Sequence, residues 1–463
     1  MLDAKKTDTV VPAKAGTQRL ILTVPEFPEE PGVSLRRYDD AQGAIDWRKR
    51  RSSANGARKK IDGNFPCGGP KACLRARHTY KTRKIEHFKR HVYKYPQFLY
   101  MSPRVPMRSL HDLNPGRFET APILKALNQA SRNLAELKGV AASIPNQGIL
   151  INTLTLQEAR DSSAIENIVT TQDDLYREEE PAETTGTAIK EVLRYRQALR
   201  AGFDRVQDSG LLTLNTILDI QQRLECNLAG FRKLPGTALR DGAGAVVYEP
   251  PQDANDVLRL MGDLEKFIHD QPPFDADPLV RMALIHHQFE SIHPFYDGNG
   301  RTGRIINVLY LVKEGLLDIP VLYLSRHIVQ TKPDYYRLLQ AVRDHDDWEG
   351  WVLYMLQAIA STAAQTVATI QAIKTLLQQT KLRIREHYRF YSQDLINNLF
   401  NHPYTRVEFL QRELGVSRLT ATRYLDKLAE DGVLRKMRMG RNNYYVNQPL
   451  FDLLARAETG LPR

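Results

Sequence analysis

The sequence predicts a mainly α protein: an all-α core with one small β-hairpin, then a separate winged helix-turn-helix domain. Three observations carry that prediction. From about residue 108 onward, one segment after another repeats apolar residues at the spacing that gathers them on one helix face. Before residue 400, extended runs flank a glycine-containing turn only once, in TALRDGAGAVVYEPP (237–251). The closing stretch RVEFLQRELGVSRLTATRYLDKLAEDGVLRKMRMGRNNYYVN (406–447) reads helix, turn at Gly415, helix, then basic hairpin.

The helices follow in order. APILKALNQASRNLAELKGVA (121–141) is the first, and LTLQEARDSSAIENIVTTQDDL (154–175) the second, with a polar interior. Further helices are expected at about 186–207, 213–227 and 254–269. The segment 277–293 opens with Asp277 as N-cap and Pro278 in the first turn, and Leu279, Met282, Ala283, Ile285, Phe289 and Ile292 give it a buried face. A Gly-Asn-Gly turn then leads into a helix at 301–315, with others at 333–344 and 348–386. The expected divisions are a tail over 1–105, N-terminal helices over 106–185, a core over 186–390 and the winged unit over 395–463.

Size and composition narrow the function classes. The chain has 463 residues, 42% hydrophobic and 26% charged, the balance of an ordinary globular protein. No apolar run reaches the roughly 20 residues of a membrane span, so no membrane partner is expected. Three cysteines and no export signal point to a reducing cytoplasm. The net charge of +11 is uneven: residues 1–100 hold 22 Lys and Arg against 10 Asp and Glu, and the remainder is nearly neutral. Global charge is therefore no evidence of nucleic-acid binding. Residues 1–105 lack sustained periodicity and read as a disordered basic tail, or as a start placed too far upstream of Met101 and Met107. Cys67, Cys73 and His78 fit no usual zinc spacing and lack a fourth ligand.

The chemistry concentrates in HPFYDGNGRTGR, His293 to Arg304. A glycine-rich turn opening a helix presents backbone N–H groups and the positive end of the helix dipole to one point, which suits an anion. Gly298 and Gly300 allow close approach, and Asn299 adds an amide donor. Arg301 and Arg304, three apart, share a helix face and suit two phosphates of a polyphosphate. No Walker lysine is present. Asp297 suits Mg2+ held between phosphate oxygens, and His293, titrating near neutrality, suits a proton acceptor. Both Arg pairing with surface acids and a merely packed histidine would be the structural alternative.

At every defining position this stretch resembles the HxFx(D/E)GNGRxxR signature of the Fic (fido) family, and the resemblance extends from about 110 to 385. It implies an all-α Fic core with a hairpin flap and transfer of AMP from ATP to a protein hydroxyl. By that resemblance His293 deprotonates a Ser, Thr or Tyr hydroxyl, on a target protein or on the chain itself. Asp297 binds Mg2+, Gly298, Asn299 and Gly300 line the anion hole, Arg301 holds the β-phosphate and Arg304 the γ-phosphate. Phe295 packs beneath the loop. Ser162, Glu166 and Asn167 fit the family's inhibitory pattern Ser/Thr-x-x-x-Glu-Gly/Asn, which implies a built-in N-terminal brake in which Glu166 pairs with Arg304. Tyr335 and Tyr336 are implied adenine contacts, and Leu239 to Val247 the flap region that aligns a target segment as an added strand. His286 and His287 read as packed or capping residues, not metal ligands.

In the C-terminal unit, Ser417, Arg418, Thr420, Thr422, Arg423 and Lys427 lie along the second helix, with Arg435, Lys436, Arg438 and Arg441 on the wing. Residues 401–463 carry 11 basic against 7 acidic groups, which suits either a DNA groove or a protein-docking surface. The expected partners are thus ATP, a hydroxyl-bearing protein, and DNA or protein through 395–463, with a homodimer admitted. The functional alternatives are a DNA-binding transcriptional regulator with a weakly active core, or an enzyme moving a different nucleotide or a phosphate.

Overall fold

The structure is a computed structural model describing residues 107–177, 185–439 and 442–459, all within the unit that spans 71–463. The expected basic tail, the Cys67, Cys73 and His78 set, and Arg441 lie outside the described residues. The chain is mainly α, with only short strands, as the sequence predicts.

Two 3-10 turns at Leu110–Asp112 and Pro115–Phe118 lead into α1 (Ala121–Ala142), α2 (Gly148–Ile165), α3 (Gln172–Arg177), α4 (Thr187–Ser209) and α5 (Leu214–Glu225). A hairpin of β1 (Leu239–Arg240) and β2 (Val246–Tyr248) precedes α6 (Ala254–Ile268). Then come α7 (Pro278–Ile292), α8 (Asn299–Lys313), α9 (Leu324–Gln330), α10 (Lys332–His345) and the forty-residue α11 (Trp348–His387).

Most boundaries follow local chemistry. Asp277 caps α7 by accepting from Leu279 N at 2.8 Å, with Pro278 in the first turn. The expected helix over 154–175 is instead two. Asn167 takes φ +63°, a left-handed conformation that Asn tolerates, and this ends α2 one residue after its cap at Glu166. Nor does α7 bury a single face: every residue from Leu279 to Ile292 is buried, because other helices surround it. It packs against α6, α8 and α11. Two of its polar residues each find a partner inside through one ring nitrogen: His286 Nε2 bonds the Tyr335 hydroxyl at 2.9 Å and His287 Nε2 the Leu339 carbonyl at 3.2 Å. The two histidines are packing residues.

Trp351 anchors α11 to α7. Its ring is fully buried and its Nε1 donates to the Ala283 carbonyl at 2.8 Å. Trp351→Ala is expected to lower unfolding free energy by about 3–5 kcal/mol, read from denaturant midpoints at unchanged slope.

The C-terminal unit comprises α12 (Gln393–Asn401), β3 (Tyr404–Thr405), α13 (Val407–Leu414), α14 (Arg418–Glu430), β4 (Arg435–Met439), β5 (Asn442–Val446) and α15 (Gln448–Thr459). Gly415 at φ +65° makes the turn between α13 and α14, and the three strands pair antiparallel in the order β3-β5-β4. Arg418, Arg423, Lys427, Arg435, Lys436 and Arg438 are exposed. Three of these six have carboxylate partners: Arg418 with Glu408 at 3.4 Å, Lys427 with Asp431 at 3.0 Å and Lys436 with Asp426 at 2.6 Å. The unit also touches α2, where Gln157 Nε2 donates to the Leu454 carbonyl at 3.0 Å. No described helix is long and apolar enough to cross a membrane.

Candidate active site

The loop His293–Gly298 joins the C-terminus of α7 to the N-terminus of α8. His293 ends α7 in a left-handed conformation, φ +50°, its N–H donating to the Phe289 carbonyl at 3.0 Å. Arg232, 2% exposed, fixes this strained end: its Nε donates to the His293 carbonyl at 2.8 Å and its Nη2 to that of Ile292 at 3.2 Å. Arg343 braces the preceding turn through Ser291 Oγ at 3.0 Å. His293 as a residue is partly exposed, with its Nδ1 buried. Burial, then the cations of Arg343 and Arg232, push its pKa down to about 4, against a smaller upward pull from the Glu290 backbone. The imidazole is therefore neutral at neutral pH, the form that accepts a proton.

Phe295 is fully buried, 5.2 Å from the Phe231 ring and 6.3 Å from that of Phe289. The Asn299 amide, expected to donate to an anion, closes the loop instead. Its Oδ1 accepts from Phe295 N and its Nδ2 donates to Phe295 O, both at 2.8 Å. A buried amide facing a backbone N–H and C=O four residues away answers both, which fixes the turn's shape. Asp297 is exposed at the loop's tip, with Oδ1 accepting from Gly298 N at 2.8 Å.

Gly298, at φ +78°, caps α8. Arg301 and Arg304 leave the first turns of α8 and are buried, 3% and 2% exposed. The end of α2 meets them there. Glu166 Oε1 accepts from Arg304 Nη2 and its Oε2 from Arg301 Nε, each at 2.9 Å. Ser162 adds two acceptors to Arg304: Oγ for Nε at 2.7 Å and the carbonyl for Nη2 at 2.9 Å. A Cβ on Gly300 would stand 2.8 Å from Glu166 Oε1, so the carboxylate sits directly over the glycine turn. Burial opposes the Arg301 and Arg304 charges, but the surrounding carboxylates, Glu166 foremost, hold both above the ordinary arginine value.

Residues invisible to the sequence reading support this arrangement. Lys332 Nζ donates to the Ile165 carbonyl at 2.6 Å and reaches the Asn167 Oδ1 at 3.4 Å, gripping the end of α2 from the start of α10. Glu158, one turn before Ser162, accepts from Tyr195 OH at 3.1 Å and Ser325 N at 3.2 Å and also contacts Ser325 Oγ. Burial pushes its pKa up to about 8, so it enters this network protonated at neutral pH. Glu191 and Glu225 hold Arg301 from α4 and α5, at 3.4 and 2.7 Å. No motif marks these acids, because they reach the site from separate helices.

Of the two implied adenine contacts, Tyr335 is buried and Tyr336 partly exposed. Tyr335 is 2% exposed, bonded to His286 and 5.7 Å from the Trp351 ring, and Tyr336 meets it edge-on at 5.1 Å. The hairpin is tied near His293: Tyr248 OH donates to the Ser291 carbonyl at 2.9 Å, and Arg343 lies 3.9 Å over the Tyr248 ring. Val246 and Val247 on β2 are exposed. A cleft of about 750 Å³ elsewhere, lined by Asn152, Thr155, Arg196, Phe409 and Arg412, contains none of these groups.

The short loop between α7 and α8 thus runs from His293 to a glycine turn, and the two buried arginines follow in the first turns of α8. Residues 211–311 match the Fic/DOC family, residues 124–204 the Fic/DOC family N-terminal model, and residues 376–450 the model for the protein adenylyltransferase SoFic-like C-terminal domain. The chain thus carries segments that match the Fic/DOC family core and its N-terminal region, and one that matches the SoFic-like C-terminal domain. It is similar to the protein adenylyltransferase Fic of Nematostella vectensis, 26% identical over 197 residues, 42% of this chain and 43% of that protein. It is also similar to protein adenylyltransferase fic-1 of Caenorhabditis elegans, 31% identical over 99 residues, 21% of this chain and 18% of that one. The chain thus spans less than half the length of these curated relatives. The crystal structure of a Fic family protein from Desulfovibrio desulfuricans G20 shares 23% identity, covering 72% of this chain and 98% of that one, at a TM-score of 0.47.

Proposed function

We propose that the protein is an adenylyltransferase that moves AMP from ATP to a hydroxyl side chain of a protein, including its own, and that Glu166 holds it off. The observation that carries this reading is the shared grip on Arg304: the group suited to a terminal phosphate is occupied by a carboxylate from the end of α2. A carboxylate and a phosphate oxygen make the same charge-assisted bonds to a guanidinium, so only one of them fits there. The names of the relatives support the reaction class.

In the active arrangement, neutral His293 accepts the proton of the attacking hydroxyl. The hydroxyl oxygen forms its bond to the α-phosphorus, and the bond from that phosphorus to the bridging oxygen breaks, releasing pyrophosphate. The loop's N–H groups and the start of α8 stabilise the charge that develops. Arg301 and Arg304 keep the β- and γ-phosphates in place. Asp297 is the group that fits Mg2+: an exposed hard carboxylate on the rim of the anion site, with phosphate oxygens to complete the coordination. Bound there, the ion would neutralise phosphate charge. Among the described residues no cluster of three or more metal-ligating side chains stands ready to hold it alone.

The reading is tested by intact-protein mass after incubating wild type, Glu166→Gly and Glu166→Gly/His293→Ala with Mg2+ and ATP. An AMP adduct in the second and none in the third supports it. A bare phosphate adduct, or none in any variant, overturns it. Ser162→Ala removes one of the bonds to Arg304 and leaves Glu166. A hydrogen bond to a charged group is worth about 1.5–3 kcal/mol, so AMP transfer is expected to rise by roughly tenfold, well short of Glu166→Gly.

A further inference from the structure

Each of the three nitrogens of Arg301 donates to a different carboxylate: Nε to Glu166 at 2.9 Å, Nη1 to Glu191 at 3.4 Å and Nη2 to Glu225 at 2.7 Å. The Nε and Nη2 hydrogens form the flat edge with which a guanidinium grips two oxygens of one phosphate. That edge is therefore divided between two acids from different elements, Glu166 at the end of α2 and Glu225 at the end of α5. Glu225 also presses on the loop itself. A Cβ on Gly298 would meet its Oε1 at 2.8 Å, just as a Cβ on Gly300 would meet Glu166 Oε1 at 2.8 Å. Each glycine of the Gly-Asn-Gly turn thus has one carboxylate seated against it. Departure of Glu166 frees Nη2 of Arg304 from that acid and Nε of Arg301, but leaves Arg301 Nη2 on Glu225. The Glu225 side chain is only 11% exposed and Arg301 3%, so water weakens this pair little.

We propose that Glu225 is a second internal competitor for nucleotide phosphate, holding Arg301 as Glu166 holds Arg304, so that a β-phosphate gains the full edge of Arg301 only when Glu225 withdraws. The proposal rests on the reading of the loop as a polyphosphate site. It names the ligands that feel Glu225: nucleoside di- and triphosphates do, and a nucleoside monophosphate does not. Glu191, on Nη1 and off the gripping edge, serves to hold the guanidinium upright.

The test is calorimetric titration of AMP, Mg-ADP and Mg-ATP into full-length Glu166→Gly and Glu166→Gly/Glu225→Gln. Glutamine keeps the shape and one acceptor but removes the charge. Kd for ADP and ATP is expected to fall by about tenfold and that for AMP to stay within about twofold. Glu225→Asp, which draws the carboxylate back by one methylene, moves ADP and ATP the same way to a smaller extent. An equal change for AMP and ATP, no change, or weaker ATP binding overturns the proposal. If ATP binds Glu166→Gly and Glu225→Gln alters nothing, this inference falls while the polyphosphate reading stands. If neither variant binds ATP, both fall.

Discussion

Glu166→Gly is expected to raise the rate of AMP transfer by about a hundredfold over wild type, measured as AMP incorporated per minute into the protein itself at saturating Mg2+ and ATP. The magnitude comes from what the nucleotide must displace. Glu166 bridges two buried arginines at 2.9 Å each, and separating a buried, hydrogen-bonded ion pair costs roughly 3–5 kcal/mol when no replacement is supplied. A terminal phosphate supplies a replacement, but an imperfect one while the carboxylate remains nearby, so about 3 kcal/mol of that opposition reaches the barrier. Glycine suits the position structurally. Glu166 is the cap after the last residue of α2, where its side chain supports no further helical turn. Stability without nucleotide is expected to fall, because Glu191 and Glu225 remain on Arg301 while the buried Arg304 is left with Ser162.

His293→Ala, built on Glu166→Gly, is expected to lower transfer by about 10²–10⁴-fold, the usual contribution of a positioned general base. ATP affinity should remain within about twofold, since no phosphate-binding group is altered. The two readouts separate chemistry from binding: a loss confined to kcat supports the proton-accepting role, whereas a matching loss in ATP affinity would mean that the histidine only shapes the loop. Some structural effect is built in, because His293 sits at φ +50° and alanine accepts that conformation less well. Arg232 and the Asn299 clasp hold the turn on both sides, and this limits the disturbance.

How much of this was legible in the sequence follows from where each group lies along the chain. The stretch His293–Arg304 is contiguous, so its histidine, glycine turn and paired arginines are legible together. The meeting of Ser162 and Glu166 with an arginine some 140 residues away was legible only through family resemblance. Helix positions came through well where caps were local, as at Asp277. They failed at the end of α2, because apolar periodicity runs on past Ile165 and only the backbone angle at Asn167 reveals the break. The sequence suggests an anion contact for Asn299, because local sequence does not show the Phe295 backbone that captures its amide. For Tyr335, implied by the resemblance as an adenine contact, the structure adds a bond from its hydroxyl to the buried His286. Glu191, Glu225, Arg232 and Lys332 were not legible at all. Each comes from a separate element, and nothing in the local sequence distinguishes a buried acid on Arg301 from a solvated one on a helix face.

The central claim is that Glu166 acts through Arg304, and a double-mutant cycle tests it most directly. Initial rates of AMP transfer are measured for wild type, Glu166→Gly, Arg304→Ala and the double variant. The account predicts that Glu166→Gly gives its full gain only when Arg304 is present, and that the double variant is no faster than Arg304→Ala alone. An equal fold gain from Glu166→Gly in both backgrounds would contradict it.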